Sequence, residues 1–283
     1  MGNLRTLRSD LSFGEAPRWR PGEGLYVSDI HANRIIRLSE EGGMEVVATF
    51  DGPVSGLGWL PDGTLLVVSM HDRRLLRREA GGTFRVHADL SGIATWHAND
   101  MVVAADGTAY VGNFGFSLTP RLEVKPAKLA KVTPDGRASV AAEGLLFPNG
   151  SVISPDGRTL IVGESAGRRL TAFTIGEDGD LSDHRAWAPM PEGAFPDGIC
   201  LDAEGAIWVA SPPSREVLRI REGGDILERI PTEQMAIAAM LGGADRRTLF
   251  ICTADSTDPE YCLANHTARI LAVDVDVPGA GRP

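Results

Sequence analysis

No stretch of this 283-residue chain approaches the run of about 18 consecutive apolar residues that a membrane-spanning helix needs, so no span and no membrane partner is expected. The first residues, Met1-Gly2-Asn3-Leu4-Arg5, carry no apolar core of a secretory signal. A cytoplasmic protein is therefore expected, and the sequons at Asn149-Gly-Ser151 and Asn265-His-Thr267 carry little meaning. Cysteine is scarce: the odd count of three and the lack of Cys-x-x-Cys speak against a disulfide framework and a structural zinc site. Cys200 sits in an apolar strand, whereas Cys252 and Cys262 stay open to pairing across a loop, which a reducing cytosol disfavours. Positive charge is also short, with 28 Lys and Arg against 38 Asp and Glu. The net charge of −10 repels a phosphate backbone, and no basic stripe with interleaved aromatics offsets it, so nucleic acid is not an expected partner. Arg73-Arg74 and Arg77-Arg78 alternate with apolar residues and read as solvated strand faces. No segment keeps a 3.6-residue apolar period for three turns, so major helices are not expected. No Gly-x-Gly-x-x-Gly or phosphate loop is present.

What the chain does have is repetition. Glycine (33) and proline (18) are raised, as many turns require. One pattern recurs: an apolar run, an Asp-Gly type turn, a strand ending in Val or Ala, a polar turn, then a strand with Arg and Leu. Clear copies begin at Gly56, Asn99, Asn149 and Asp197, and weaker ones at Glu15 and Ala238. Their first turns fall at 22, 62, 106, 156, 204 and 245, spacings of 40, 44, 50, 48 and 41. That period predicts four-stranded blades, with Asp-Gly and Glu-Gly as hairpin turns. Six copies in 283 residues fit a closed ring. The expectation is an all-β, six-bladed β-propeller, one domain over residues 1–283, closed by strands from both termini and with a metal site in its central channel. Residues 114–128 exceed a hairpin turn and read either as a cover for the channel mouth or as a packed surface excursion.

The innermost strand of each blade lines such a channel. Four of the copies start with a polar residue, Glu15, Asn99, Asn149 and Asp197, each followed by an apolar run. Two carboxylates and two amides converging on one axis suit a hard cation, since the carboxylates otherwise suffer desolvation and mutual repulsion. Asn-Gly and Asp-Gly are also ordinary turn dipeptides, and from these residues alone both readings stand.

Phe13-Gly-Glu15-Ala-Pro-Arg-Trp19, Asn99-Asp100, Phe147-Pro-Asn149-Gly and Phe195-Pro-Asp197-Gly-Ile-Cys-Leu-Asp-Ala-Glu-Gly-Ala-Ile-Trp-Val-Ala210 together resemble the SMP-30/gluconolactonase/regucalcin family, in order through nearly the whole chain. The resemblance implies a metal-dependent lactonase with one divalent cation (Ca²⁺ first, with Mn²⁺, Mg²⁺ or Zn²⁺ as alternatives). It implies Glu15, Asn149 and Asp197 as ligands, Asn99 as a substrate or metal contact, and a small-molecule substrate with no obligate protein partner. Sugar-lactone members tend to carry an arginine where this chain has His97, and the loop around Asn113-Phe114-Gly115-Phe116 is aromatic rather than acidic. Phe114 and Phe116 are therefore expected to contact a less polar ring. His97 shares a strand face with Asn99 and reads as a proton shuttle or substrate contact, with Asp197 the other candidate base. Asp100 points the opposite way and is expected to bind backbone. Gly163-Glu-Ser165-Ala-Gly167 matches a nucleophile pattern, but a return strand follows where a helix is needed, so Ser165 is not expected to attack. Epoxide or organophosphate hydrolysis on the same site, and a non-catalytic calcium-binding propeller, are the alternatives.

Overall fold

Short β-rich runs pair here with their sequence neighbours, because turns of mostly three to five residues reverse the chain before the next apolar run. A computed structural model describes residues 3–118 and 123–282 and contains six four-stranded antiparallel sheets. In blade 1 the strands are Gly14–Arg20, Gly24–Asp29, Arg34–Leu38 and Met44–Thr49, in that order from the channel outward. The inner strands of blades 2 to 6 are Val54–Trp59, Ala98–Val103, Pro148–Ile153, Ile199–Leu201 and Met235–Gly242. The first turn of every blade falls where the repeat places it. Gly107 shows why the turns need glycine, since its φ of +93° is strained for any side chain.

The ring closes in blade 6. Its three inner strands end in Ala268–Asp274, and the outermost strand is Arg5–Leu11 from the start of the chain, with Arg5 opposite Ala272. Apolar faces of adjacent blades bury each other. Leu66, Val68 and Leu75 of blade 2 pack with Met101, Val103 and Val111 of blade 3, for example. Each fully buried Leu or Val contributes about 1.5–3 kcal/mol.

One helix, Pro259–Asn265, lies between the second and third strands of blade 6, capped by Asp258, whose carboxylate accepts from Tyr261 N at 2.8 Å. At the far end of the channel the final segment folds back across blades 5 and 4. Ala280 N donates to Leu201 O and Arg282 N to Ile153 O, both at 2.9 Å. All three cysteines are free and buried, so Cys252 and Cys262 do not pair. No helix among the described residues is long and apolar enough to cross a membrane.

Candidate active site

Each inner strand starts with the same irregularity. In blade 3, Ala98 faces Asn113 and Met101 faces Val111, so Asn99 and Asp100 together oppose one residue. The same two-against-one bulge occurs at Ser55-Gly56 and Asn149-Gly150, and in blade 1 at Ala16-Pro17, directly after Glu15. Blades 5 and 6 carry it at Asp197-Gly198 and Ala236-Ile237. A bulge bends a strand and re-aims a side chain. Here it gives the channel a ring of six equivalent positions: Glu15, Ser55, Asn99, Asn149, Asp197 and Ala236. The second bulge position must be small where neighbouring strands nearly touch. A Cβ on Gly150 would sit 2.5 Å from Asp197 O, and this close approach brings the Asn149 and Asp197 backbones together.

Hydrogen bonds run around the ring in one direction. Ser55 Oγ lies 3.5 Å from Asn99 Oδ1, and Asn99 Nδ2 donates to Asn149 Oδ1 at 2.9 Å. Asn149 Nδ2 donates to Asp197 Oδ1 at 2.5 Å. Asp197 is in turn hydrogen-bonded to Glu15. Glu15, Asn99 and Asn149 are about 5 % exposed or less, whereas Asp197 keeps a face open to the channel. Burial, then the charges of Asp197 and Asp100, push the Glu15 carboxyl well above its usual range. Burial, with the Asp100 charge added, pushes Asp197 up to about 7, against the lowering effect of its Asn149 hydrogen bond. Two acids in contact cannot both ionise cheaply in a buried place, so the pair holds a proton between them near neutral pH.

The four polar starts are thus brought together. Phe114 and His97 stand one layer further out. Phe114 N donates to His97 O at 3.0 Å, and Thr95 Oγ1 ties to Gly115 O at 3.2 Å, which fastens the aromatic loop to the entry of blade 3. His97 packs between Trp96 (ring centroids 5.1 Å apart), His71 (4.1 Å) and Phe114 (5.9 Å). Burial, then the neighbouring His71 and Arg73, lower the His97 imidazole to about 4, so it is neutral at pH 7. Phe114 also packs on Phe147 at 4.5 Å. Phe116 is 5 % exposed and edge-on to Phe147, whereas Phe114 is half-buried. Part of the loop read from the sequence, residues 119–122, lies outside the described residues.

Asp100 turns away from the ring and accepts from its neighbour Met101 N at 2.8 Å. It also forms a buried ion pair with Arg18 at 2.6 Å, a residue that sequence reasoning passed over. Arg18 belongs to blade 1 and reaches Leu57 O of blade 2 at 3.1 Å and Met101 O of blade 3 at 2.6 Å, lacing three blades together behind the ring. Ser55 and Ser165 were also missed as members of the ring and its support. The entry loops are latched by acids at the ends of second strands. Asp29 accepts from Ser12 N and Phe13 N, both at 2.9 Å, ahead of Glu15, and Glu164 accepts from Leu146 N at 2.7 Å ahead of Asn149.

Residues 13–255 match the family model described as the SMP-30/gluconolactonase/LRE-like region. The chain belongs to that family. It is 27 % identical to a pentonolactonase of Haloferax volcanii over 99 % of this chain and 96 % of the relative. It is equally 27 % identical to a 6-deoxy-6-sulfogluconolactonase of Pseudomonas putida, over 98 % and 96 %. The solved structure of regucalcin, a calcium-binding protein of Agrobacterium tumefaciens, superposes with a TM-score of 0.84 at 22 % identity, covering 100 % of this chain and 97 % of that one, which shows the shared fold. The lactonase names among its family relatives support lactone hydrolysis.

The donor set fits a hard divalent cation. It is all oxygen, from Glu15, Asn149 and Asp197 with Asn99 beside them, and oxygen donors suit Ca²⁺, Mg²⁺ or Mn²⁺. Among the described residues no group of three or more His, Cys, Asp or Glu gathers as a metal cluster, and the ring offers two carboxylates with two amides instead.

Proposed function

We propose that this protein hydrolyses a small lactone, less polar than a sugar lactone, to its hydroxy acid, and does so only with a divalent cation, Ca²⁺ first, held by Glu15, Asn149 and Asp197. One observation carries the reading: Glu15 and Asp197 are two acids in contact whose carboxyls burial pushes upward, with no ion pair to Lys or Arg recorded for either among the described residues. A divalent cation compensates both charges. When bound, it supplies Lewis-acid polarisation of the lactone carbonyl and stabilisation of the oxyanion.

The rest is the work of the chain. Asn99, donating through Nδ2 and lying beside the ligands, orients the substrate. Asp197, with a face open to the channel, takes the proton of the attacking water and returns it to the departing ring oxygen. Neutral His97 is the second candidate for that proton transfer, and a substrate contact in either case. Trp96, His97 and Phe114 offer aromatic faces and few hydrogen-bond partners, which favours an aliphatic or aryl-substituted ring over a polyol. Three reduced thiols suit a cytoplasmic setting.

The test is acid release from a panel of γ- and δ-lactones, sugar-derived and aliphatic, before and after chelation and with each metal added back. Turnover that disappears with chelator and returns with one metal supports the reading, and the preferred ring identifies the substrate class. Binding of Ca²⁺ without turnover on any lactone overturns it; an epoxide and a phosphotriester in the same panel then distinguish another hydrolase from a non-catalytic propeller.

A further inference from the structure

Ser165 occupies the centre of Gly163-Glu-Ser165-Ala-Gly167, a nucleophile pattern that the fold does not use as one, because strand Arg169–Ile175 follows it directly. The structure gives every part of that run another purpose. A Cβ on Gly163 would lie 3.2 Å from Pro196 Cβ, so its absence lets blade 5 close on blade 4. Glu164 latches the Leu146 amide. A Cβ on Gly167 would lie 2.9 Å from that of Glu164.

Ser165 itself is 6 % exposed and makes two hydrogen bonds through one oxygen. Oγ donates to Pro196 O at 2.7 Å and accepts from Asn149 Nδ2 at 3.1 Å. The directions are forced. A hydroxyl has a single hydrogen, and the Pro196 carbonyl can only accept. The group of Asn149 that meets Oγ is therefore its NH₂, and its Oδ1 must face the other way, toward Asn99 and the channel. Asn149 is also held by Asp197 at Nδ2 and by Asn99 at Oδ1, and Ser165 adds a third hold on the same orientation, the one anchored on a backbone carbonyl.

We infer that Ser165 is a positioning residue for the cation site: it fixes the Asn149 amide with its oxygen toward the channel and ties that ligand to Pro196, the residue preceding Asp197. The inference rests on the cation reading of the preceding section, and its test keeps the two apart. Calcium is titrated calorimetrically into chelator-treated, dialysed wild type, Ser165→Ala, Ser165→Thr and Ser165→Val. Partners of metal ligands typically change affinity by roughly 10–100-fold, so Ser165→Ala and Ser165→Val are expected to bind that much more weakly than wild type. Thr and Val have the same shape, so any steric cost of the added atoms is shared. Ser165→Thr is expected to bind at least about tenfold more tightly than Ser165→Val. The melting temperature of cation-free Ser165→Ala stays within a few degrees of wild type. Equal affinity of Ser165→Ala and wild type, or of the Thr and Val variants, overturns the inference. A wild type that binds no divalent cation overturns the preceding reading instead.

Discussion

Asp29, Asp100, Glu164 and Asp202 are buried acids, as is Glu15 with Asp197 beside it, yet the chain treats the two groups in opposite ways. Asp29 has Arg34 at 2.8 Å, Asp100 has Arg18 at 2.6 Å, Glu164 has Arg169 at 2.7 Å and Asp202 has Arg219 at 2.7 Å. Each of these acids fixes a loop or joins strands, and each pairs with a guanidinium. Glu15 and Asp197 have amides, a backbone N–H and each other. The fold is able to place an arginine beside a buried acid, and does so repeatedly. At the ring no ion pair forms among the described residues: Arg18, whose charge acts on Glu15, is already bonded to Asp100, and the proposed cation would balance what is left.

Substitutions on the two sides should diverge. The largest effect belongs to the ring: Asp197→Asn is expected to lower kcat/KM on the preferred lactone roughly 10³-fold, the usual range for a general base, and to weaken calcium binding. Full metal-dependent turnover in that variant removes Asp197 from its assigned role. Next comes the paired group. Arg18→Met leaves Asp100 buried and unpaired, a loss of about 3–5 kcal/mol measurable by denaturant unfolding. Glu15→Gln, which deletes a carboxyl that has no ion-pair partner among the described residues, should leave the cation-free protein as stable as wild type or more so. Equal losses from both changes abolish the distinction between the two groups. The rim gives a smaller effect: Trp96→Ala is expected to raise KM for an alkyl-substituted lactone about 5–10-fold and leave a polyhydroxylated one nearly unchanged. A uniform change on both substrates speaks for a packing role.

The smallest effect is in pH. Asp197 titrates near 3.8 when unfolded and about 7 when folded. Between those values the folded chain holds a proton that the unfolded chain has lost. The cation-free protein should therefore lose stability as pH rises from about 4 to about 7. Scanning calorimetry checks this: the melting temperature falls across that window without cation, and the fall disappears with saturating Ca²⁺, which binds the deprotonated site. A cation-free melting temperature that rises over the same window contradicts the assignment.

The fold was legible because its period is local: blades 1 to 5 are each built from contiguous sequence, and the turn at the first hairpin repeats in all six copies. The ring was legible in four places and obscured in two. The second copy was read from Gly56, one residue past Ser55, and the sixth from Ala238, two past Ala236, because a bulge shifts the alternation that marks a strand. Ser55 is small, Ala236 is apolar, and neither announces a site. Arg18 stood within a motif already singled out, but a partner 82 positions away has no signature in a single sequence. The role of Ser165 depends on the approach of Pro196 from the next blade, which spacing along the chain does not encode. Phe116 illustrates the converse: an aromatic in a loop reads as a lining residue, and its edge-on contact with Phe147 leaves it 5 % exposed.

The outermost strand of blade 6, Arg5–Leu11, is the first of the described strands to leave the ribosome, and its partner Ala268–Asp274 is the last. Blades 1 to 5 can each form as their own residues emerge, while that strand waits with its backbone donors unmet. The ring, and with it the meeting of Glu15 with Asp197, is completed only after Ala268–Asp274 has emerged. A nascent chain halted before Ala268 carries all the ring residues from Glu15 to Ala236 in an open arc, with a strand edge exposed to other chains.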